Sequence, residues 1–287
     1  MAITAADVKK LRDATGAGMM ECKAALTEAN GNFEDATIVL RKRGLASAAK
    51  KAGRTASEGL IANRVTGDHS SGVLVEVNCE SDFVAHTDDF QKLMQDILTA
   101  IDTAGDAAND AWLTDSNGPV VALLKPVIGK LGENMVAPRL VRYAGDGYVG
   151  QYIHPGAKVG VQVEFAGVTP EIAKRAEFTT LVKEIAMQIA AASPLYASRA
   201  AVPVDILDKE RAIYRAQVEE AKKPANIIDK IVEGKLGSYY AQFVLPDQAS
   251  VRDPKMTVSD VLTAAGKALG AAVSVSRFAR LRVGETL

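Results

Sequence analysis

The sequence repeats part of itself, and this repeat limits the possible folds more than any other feature. Residues 58–61 align with residues 146–149, 88 positions further along the chain, and the same offset aligns 72–77 with 160–165. The apolar positions of the helix pattern that follows each stretch align as well. An offset held over that length without gaps indicates two copies of one unit, a β-hairpin followed by a helix.

The C-terminal parts of the two copies also align with each other, at a larger offset. Residues 131–132 and 139–142 align with 269–270 and 277–280, which lie 138 positions further along. The second copy therefore carries 50 additional residues (138 minus 88) between its helix and its last strand. Apolar residues recur seven apart in this insert until Pro224 interrupts them, a pattern that predicts a helical hairpin.

Together these patterns predict an α+β fold. We expect each copy to form a small, mostly antiparallel sheet with a helix on it. The copies are predicted to cover residues 55–144 and 145–287, with the hairpin inserted at about 193–228. Ahead of them, capping and turn residues in 1–54 predict a compact three-helix unit whose third helix ends at Gly44.

A basic stretch follows that third helix. Residues 41–54 contain no acidic side chain, and their basic residues are Arg41, Lys42, Arg43, Lys50, Lys51 and Arg54. Both a solvated linker and an anion-binding site fit this composition, and we interpret the stretch as a linker.

Composition excludes several classes of function. The net charge is −1, with 34 basic and 35 acidic residues, so binding to nucleic acid through phosphate neutralisation is not expected. Cys22 and Cys79 are far apart and match no metal or redox spacing. No signal-peptide pattern and no apolar run of membrane length is present, so we expect a cytoplasmic protein that does not bind membranes.

The junction between the first hairpin and its helix holds the most informative residues. Asp82 and Phe83 follow a buried strand pattern and precede an amphipathic helix, so they lie on a short connection. Asp82 could cap that helix while Phe83 folds back into the core. The second copy, however, has 169–171 (Thr-Pro-Glu) at the same place, with nothing chemically similar. This difference favours an exposed functional tip.

Two further positions are candidate contact residues. Met19 lies on the predicted apolar face of the second helix, and the adjacent Met20 cannot lie on the same side, so one of them is expected to be exposed. His154 lies at a predicted Pro-Gly turn between the strands of the second copy, where a solvent-exposed turn residue is the ordinary explanation.

No local signature of catalysis is present. The chain has neither of the glycine-rich phosphate loops, no ligand pair of histidines or cysteines, and no nucleophile motif. We therefore predict a binding protein with no catalytic residue, no cofactor and no metal site. Two alternatives remain open: an adaptor that binds proteins through its three-helix unit, and a small-molecule enzyme with a polar cleft between the two copies.

Three segments resemble the signatures of a known family. Residues 11–26, 75–85 and 231–236 are similar, in order, to those of bacterial translation elongation factor Ts, although the family usually has Thr where this chain has Ser81. The resemblance implies a ubiquitin-associated-like domain at 1–54, a two-part core and an inserted helical hairpin. It also implies a guanine nucleotide exchange factor for the GTPase elongation factor Tu.

The resemblance further implies how the partner is bound. The factor would bind the nucleotide-free and GDP-bound forms of elongation factor Tu without binding nucleotide itself, and homodimerisation stays open. The tip would wedge near the magnesium site of the partner and disturb its coordination. The positions implied in binding are Ser81, Asp82, Phe83 and Val84, with Met19, Met20 and His154 as further contacts.

Overall fold

The computed structural model describes residues 3–219 and 225–285, and the described chain begins with three helices. These are α1 (Ala5–Thr15), α2 (Met19–Glu28) and α3 (Phe33–Lys51). Thr4 and Asp7 form a capping box at the start of α1, and Gly16 ends that helix with a left-handed φ of 68°. The apolar faces of the three helices meet in a small core of their own.

Helix α3 is longer than the sequence predicts. The predictions that Gly44 ends it and that 41–54 is a linker are both wrong, because α3 continues to Lys51. Gly44 lies instead against Gly129 of a later helix, where a Cβ on Gly129 would sit 2.9 Å from the Cα of Gly44. The glycine at position 44 thus permits a close contact between two helices, and that packing outweighs its low helix propensity.

The first copy is a three-stranded antiparallel sheet with helices on one face. Its elements are β1 (Glu58–Val65), β2 (Ser71–Cys79), α4 (Asp82–Ala85), α5 (Asp88–Ala104), α6 (Asp110–Thr114), α7 (Pro119–Leu131) and β3 (Met135–Ala144). The strand order is β1-β2-β3. Alternate valines of β2 pack with the apolar face of α5 in the largest core of the chain's described part.

The second copy repeats this arrangement and adds the insert. Its elements are β4 (Tyr148–Ile153), β5 (Val159–Ala166), α8 (Pro170–Ala173), α9 (Ala176–Ala192), α10 (Val204–Glu219), α11 (Ala225–Phe243), α12 (Val258–Leu269) and β6 (Ser274–Arg282). The strand order is β4-β5-β6, again antiparallel. The mixture of helices and small antiparallel sheets is the predicted α+β class.

The strand register confirms the repeat. Glu76 of β2 pairs with Arg139 of β3, and Glu164 of β5 pairs with Arg277 of β6. The two glutamates are 88 residues apart and the two arginines 138, the offsets found in the sequence. Each pair is also an ion pair, with Nε–Oε2 distances of 2.5 Å and 2.7 Å. The sequence alignment therefore matches equivalent places in space.

The two sheets pack face to face, on the sides away from their helices. Gly72 and Gly160, which are equivalent in the two copies, lie at this contact. A Cβ on Gly72 would be 2.7 Å from Oε1 of Gln162, and one on Gly160 would be 2.5 Å from Cγ2 of Ile61. Gln151 of β4 donates from Nε2 to the backbone carbonyl oxygen of Val73 in β2 at 2.9 Å. At these positions the two copies are in direct contact.

The insert is a pair of antiparallel helices, α10 and α11. Arg215 and Asp229 form an ion pair across it, with an N–O distance of 2.5 Å. The predicted span of 193–228 is too short, because α11 continues to Phe243 and its last turns pack against the chain that leads into α10. The interruption predicted at Pro224 lies outside the described residues.

Candidate functional site

Phe83 projects from α4 at the end of β2. It is 90% exposed, more than any other large apolar residue in the described part of the chain. The alternative in which Phe83 folds into the core is therefore wrong. Asp82 is not the helix cap either, because Ser81 occupies that position and Asp82 is the first helical residue. An aromatic ring held in water contributes nothing to the core, so its position fits contact with another molecule.

The main chain before Phe83 is fixed by a carboxylate from the end of α7. Glu133 accepts two hydrogen bonds from Ser81, one from its backbone N–H at 2.9 Å and one from its hydroxyl at 2.6 Å. Gly132, with a φ of 82°, ends α7 and turns the chain so that Glu133 reaches the tip. Beside it, Glu80 accepts from the backbone N–H of Asn134 at 2.6 Å. Glu80 and Ser81 therefore hold the end of β2 against the residues that follow α7, Glu133 and Asn134.

Asp82 is held from the second copy. Lys158 donates from Nζ to Oδ1 of Asp82 at 2.5 Å and to Oε2 of Glu58 at 2.8 Å. His86 lies one helical turn further on, and its Nδ1 is 3.7 Å from Oδ2 of Asp82. The hydrogen bond from Lys158 holds the pKa of Asp82 below its ordinary value. The tip therefore presents an ionised carboxylate beside the exposed ring.

The other side of α4 is anchored in the first-copy core. Ala85 is fully buried, and Val84 is partly buried and packs against the same core. The carbonyl oxygen of Val84 accepts from the Thr87 hydroxyl at 2.8 Å, and that of Ala85 accepts from Nε2 of Gln91 at 3.1 Å. One turn of helix is unstable alone. These contacts let it keep Phe83 in a fixed place.

His154 lies on the exposed turn between β4 and β5, as predicted. Its Nδ1 is 3.1 Å from the hydroxyl of Tyr152. The turn is attached to the first copy at Ala157, whose carbonyl oxygen accepts from the backbone N–H of Ile61 at 2.7 Å. Lys158, four residues after His154, makes the contact with Asp82. The structure therefore joins the turn that carries His154 to the tip.

Met19 and Met20 begin α2, and they are 46% and 75% exposed. The prediction that Met19 belongs to the buried face of α2 is wrong, and both side chains are available for contact. The turn before them packs on α7, where a Cβ on Gly16 would overlap Lys130. Lys130 in turn binds Asp89 at 2.7 Å, at the start of the helix that follows the tip.

Comparison with known proteins places the chain in a family. A family model described as elongation factor TS matches residues 80–285. Elongation factor Ts of Trichlorobacter lovleyi is 42% identical over 293 residues, covering 100% of this chain and 94% of the relative. That of Prosthecochloris aestuarii is 42% identical, with 98% and 99% covered, and that of Lawsonia intracellularis is 41% identical, with 99% and 100% covered. The chain belongs to the elongation factor Ts family.

In this elongation factor Ts family member, the tip is contacted by two residues that are not among the sequence predictions, Lys158 and Glu133. Lys158 lies opposite Ser70 under the offset of 88, and Glu133 lies opposite Ala271 under the offset of 138. The copies therefore differ at both supporting positions as well as at the tip. A position-by-position comparison of the two copies would have marked both residues as differences between them.

Other chemistry is sparse in the described part of this family member. Residues 3–219 and 225–285 hold no group of three or more His, Cys, Asp or Glu side chains placed to bind a metal ion. Burial raises the pKa of Cys79 to about 11, so its thiol stays protonated near neutral pH. Among the helices described, none is both long and apolar enough to cross a membrane.

Proposed function

We propose that this chain is the guanine nucleotide exchange factor of elongation factor Tu. Membership of the elongation factor Ts family supports the partner, and the exposed Phe83 on its fixed base supports the mode of action. The protein acts by binding and not as an enzyme. It needs no covalent chemistry, because exchange requires only that it bind the nucleotide-free partner better than the GDP-bound partner.

Linkage sets what the contact surface must do. Suppose the factor binds the nucleotide-free partner more tightly than the GDP-bound partner by some ratio. The affinity of the partner for GDP must then fall by the same ratio when the factor is bound. The partner holds GDP through backbone amides, a lysine and a magnesium ion. A group that enters this region and disturbs the coordination of the ion therefore raises the rate of GDP release.

Phe83 is the residue that we assign as the wedge. An aromatic side chain that enters a pocket of the partner buries a large apolar area and is a common hot spot. Its base is already ordered by Glu133 and by the core contacts of α4. Binding therefore costs less conformational entropy than it would for a flexible loop.

Asp82 supplies the charge at the tip. Its carboxylate is about half exposed and lies next to Phe83, so it enters the same region of the partner. A carboxylate competes for the cations and donors that hold a magnesium ion in place. An aspartate is ionised across the neutral range, and the Lys158 contact lowers the pKa of Asp82 further.

The remaining candidate residues add affinity. His154 is joined to the tip through Lys158, and Met19 and Met20 are exposed at the start of α2. Methionine side chains adapt to the shape of a partner surface. We assign these residues to docking and the tip to the exchange step.

The test is the release of fluorescent GDP from elongation factor Tu, with and without this protein, in magnesium and in excess EDTA. We expect the protein to increase the rate of GDP release strongly in magnesium. In EDTA, where the ion is already gone, the ratio of the rates with and without the protein should be much smaller. Absence of stimulation in magnesium contradicts the proposed function. An equal ratio in both buffers keeps the function but contradicts action at the magnesium site.

A further inference from the structure

Lys158 makes a contact that joins the two copies at the tip. Its Nζ lies 2.5 Å from Asp82 and 2.8 Å from Glu58. Both carboxylates belong to the first copy, whereas Lys158 follows the β4–β5 turn of the second. The lysine side chain is 35% exposed and the carboxylates about half exposed, so solvent reaches all three.

Such a bridge contributes little to overall stability. Exposed ion pairs gain modest Coulomb energy in water and lose side-chain entropy when they form. Its effect is local, because it restrains the carboxylate next to the exposed Phe83. It also ties α4 to the turn that carries His154, although neither segment is long enough to be rigid alone.

The bridge forms at the tip of the first copy and has no counterpart at the equivalent tip of the second copy. Under the repeat, the position opposite Lys158 is Ser70, whose hydroxyl donates to Asp68 in its own turn at 2.9 Å. The position opposite Asp82 is Pro170, which has no polar side chain. A contact needed to fold the unit would be expected at both tips. Its presence only at the tip with the exposed aromatic ring points to the function of that tip.

We propose that Lys158 is a positioning residue for nucleotide exchange. It orients Asp82 and presents the tip and the His154 turn as one preformed surface. This inference rests on the proposed function. Glu58 completes the arrangement: it accepts the second hydrogen bond of Lys158 and so fixes the lysine beside Asp82.

The first experiment compares three full-length variants in the GDP-release assay. Lys158→Met keeps the length of the side chain and removes the charge, and we expect stimulated exchange to fall about 3- to 10-fold, the cost of ordering one or two side chains on binding. Lys158→Arg should restore most of the activity. Lys209→Met removes a more exposed bridge, to Asp205 within α10, and should leave exchange unchanged. Parent-level exchange by Lys158→Met overturns the proposal.

The second experiment separates positioning from direct contact with the partner. In an Asp82→Asn background, Lys158→Met should have little further effect, because Lys158 acts through Asp82. If the two losses multiply, Lys158 contacts the partner itself and the positioning role is wrong.

A third measurement needs no partner. Carboxyl-carbon NMR should show the pKa of Asp82 rising towards its ordinary value in Lys158→Met and staying low in Lys209→Met. An unchanged pKa in Lys158→Met contradicts the contact. If the parent protein does not stimulate GDP release, the proposed function fails, but this titration still decides whether Lys158 holds Asp82.

Discussion

At the scale of single residues, Phe83 differs from the other phenylalanines in having almost no contact with its own protein. Phe90, seven residues later, is fully buried in the first-copy core. The two rings have the same chemistry and opposite surroundings, so they form a natural pair of test positions.

We predict that Phe83→Ala changes the free energy of unfolding by less than about 0.5 kcal/mol, because no packing is lost. Stimulated GDP release should fall about 30-fold or more, the effect of losing a hot spot of roughly 2 kcal/mol. Phe90→Ala should instead cost about 3–5 kcal/mol of stability. Urea unfolding and GDP release measured on both variants check this, and parent-level exchange by Phe83→Ala excludes the wedge.

The residues that support the tip show where sequence analysis reaches its limit. The exposure of Phe83 could be predicted, because the second copy lacks an equivalent ring. Comparison of the copies marks Glu133 and Lys158 as differences, but it does not show which residues they contact, because the contacts with Ser81 and Asp82 join positions 52 and 76 residues apart. Contacts at such separations depend on how the sheets and helices pack, which local patterns do not encode.

At the scale of secondary-structure elements, helix starts were predicted better than helix ends. Thr4 and Asn32 cap α1 and α3 through local side-chain bonds that sequence spacing reveals. The ends of α3 and α11 depend on tertiary packing, and both helices extend beyond their predicted limits. Gly44 was interpreted as a helix end, whereas it lies at the crossing of α3 and α7.

This crossing leads to a prediction about two helical glycines. Gly129→Ala places a Cβ 2.9 Å from Gly44, so we expect a net loss of about 1–3 kcal/mol despite the better helix propensity of alanine. Gly234→Ala in α11 meets nothing within 4 Å and should gain about 1 kcal/mol. Urea unfolding measures both variants. A stabilising Gly129→Ala would show that α3 and α7 are not in tight contact.

At the scale of the whole molecule, the proposed contact surface has two parts with different tasks. We propose that the tip acts on the exchange step and that the N-terminal helices hold the partner. Truncation at residue 54 is a poor test of this division, because Ala48 of α3 belongs to the first-copy core. Substitution of exposed side chains leaves that core intact.

We therefore predict that replacing Met19 and Met20 together by alanine raises the concentration of factor needed for half-maximal exchange, with little change in the maximal rate. Ile38→Ala, at a residue that is 50% exposed on α3, serves as the control and should change neither value. A titration of GDP release against factor concentration separates the two effects. A lower maximal rate with an unchanged half-maximal concentration would contradict the division of tasks.

Because the two copies align, the tip residues 81–83 can be replaced by the residues found at the equivalent place in the second copy, 169–171. Thr169 and Ser81 occupy the cap position of their short helices in extended backbone, and Pro170 occupies the first helical position, where Asp82 stands in the first copy. Proline is tolerated there, and it requires extended backbone in the preceding residue. The backbone of the tip can therefore accept Thr-Pro-Glu at 81–83.

GDP release by this chimera, with thermal unfolding recorded on the same preparation, is the most direct test of the function assigned to the tip. We predict unfolding near the parent temperature, binding to elongation factor Tu, and exchange close to the unstimulated rate. The reciprocal change, Ser-Asp-Phe at 169–171, is the matched control and should exchange like the parent. A folded chimera with Thr-Pro-Glu at 81–83 that stimulates GDP release at the parent rate would contradict the assignment of the tip.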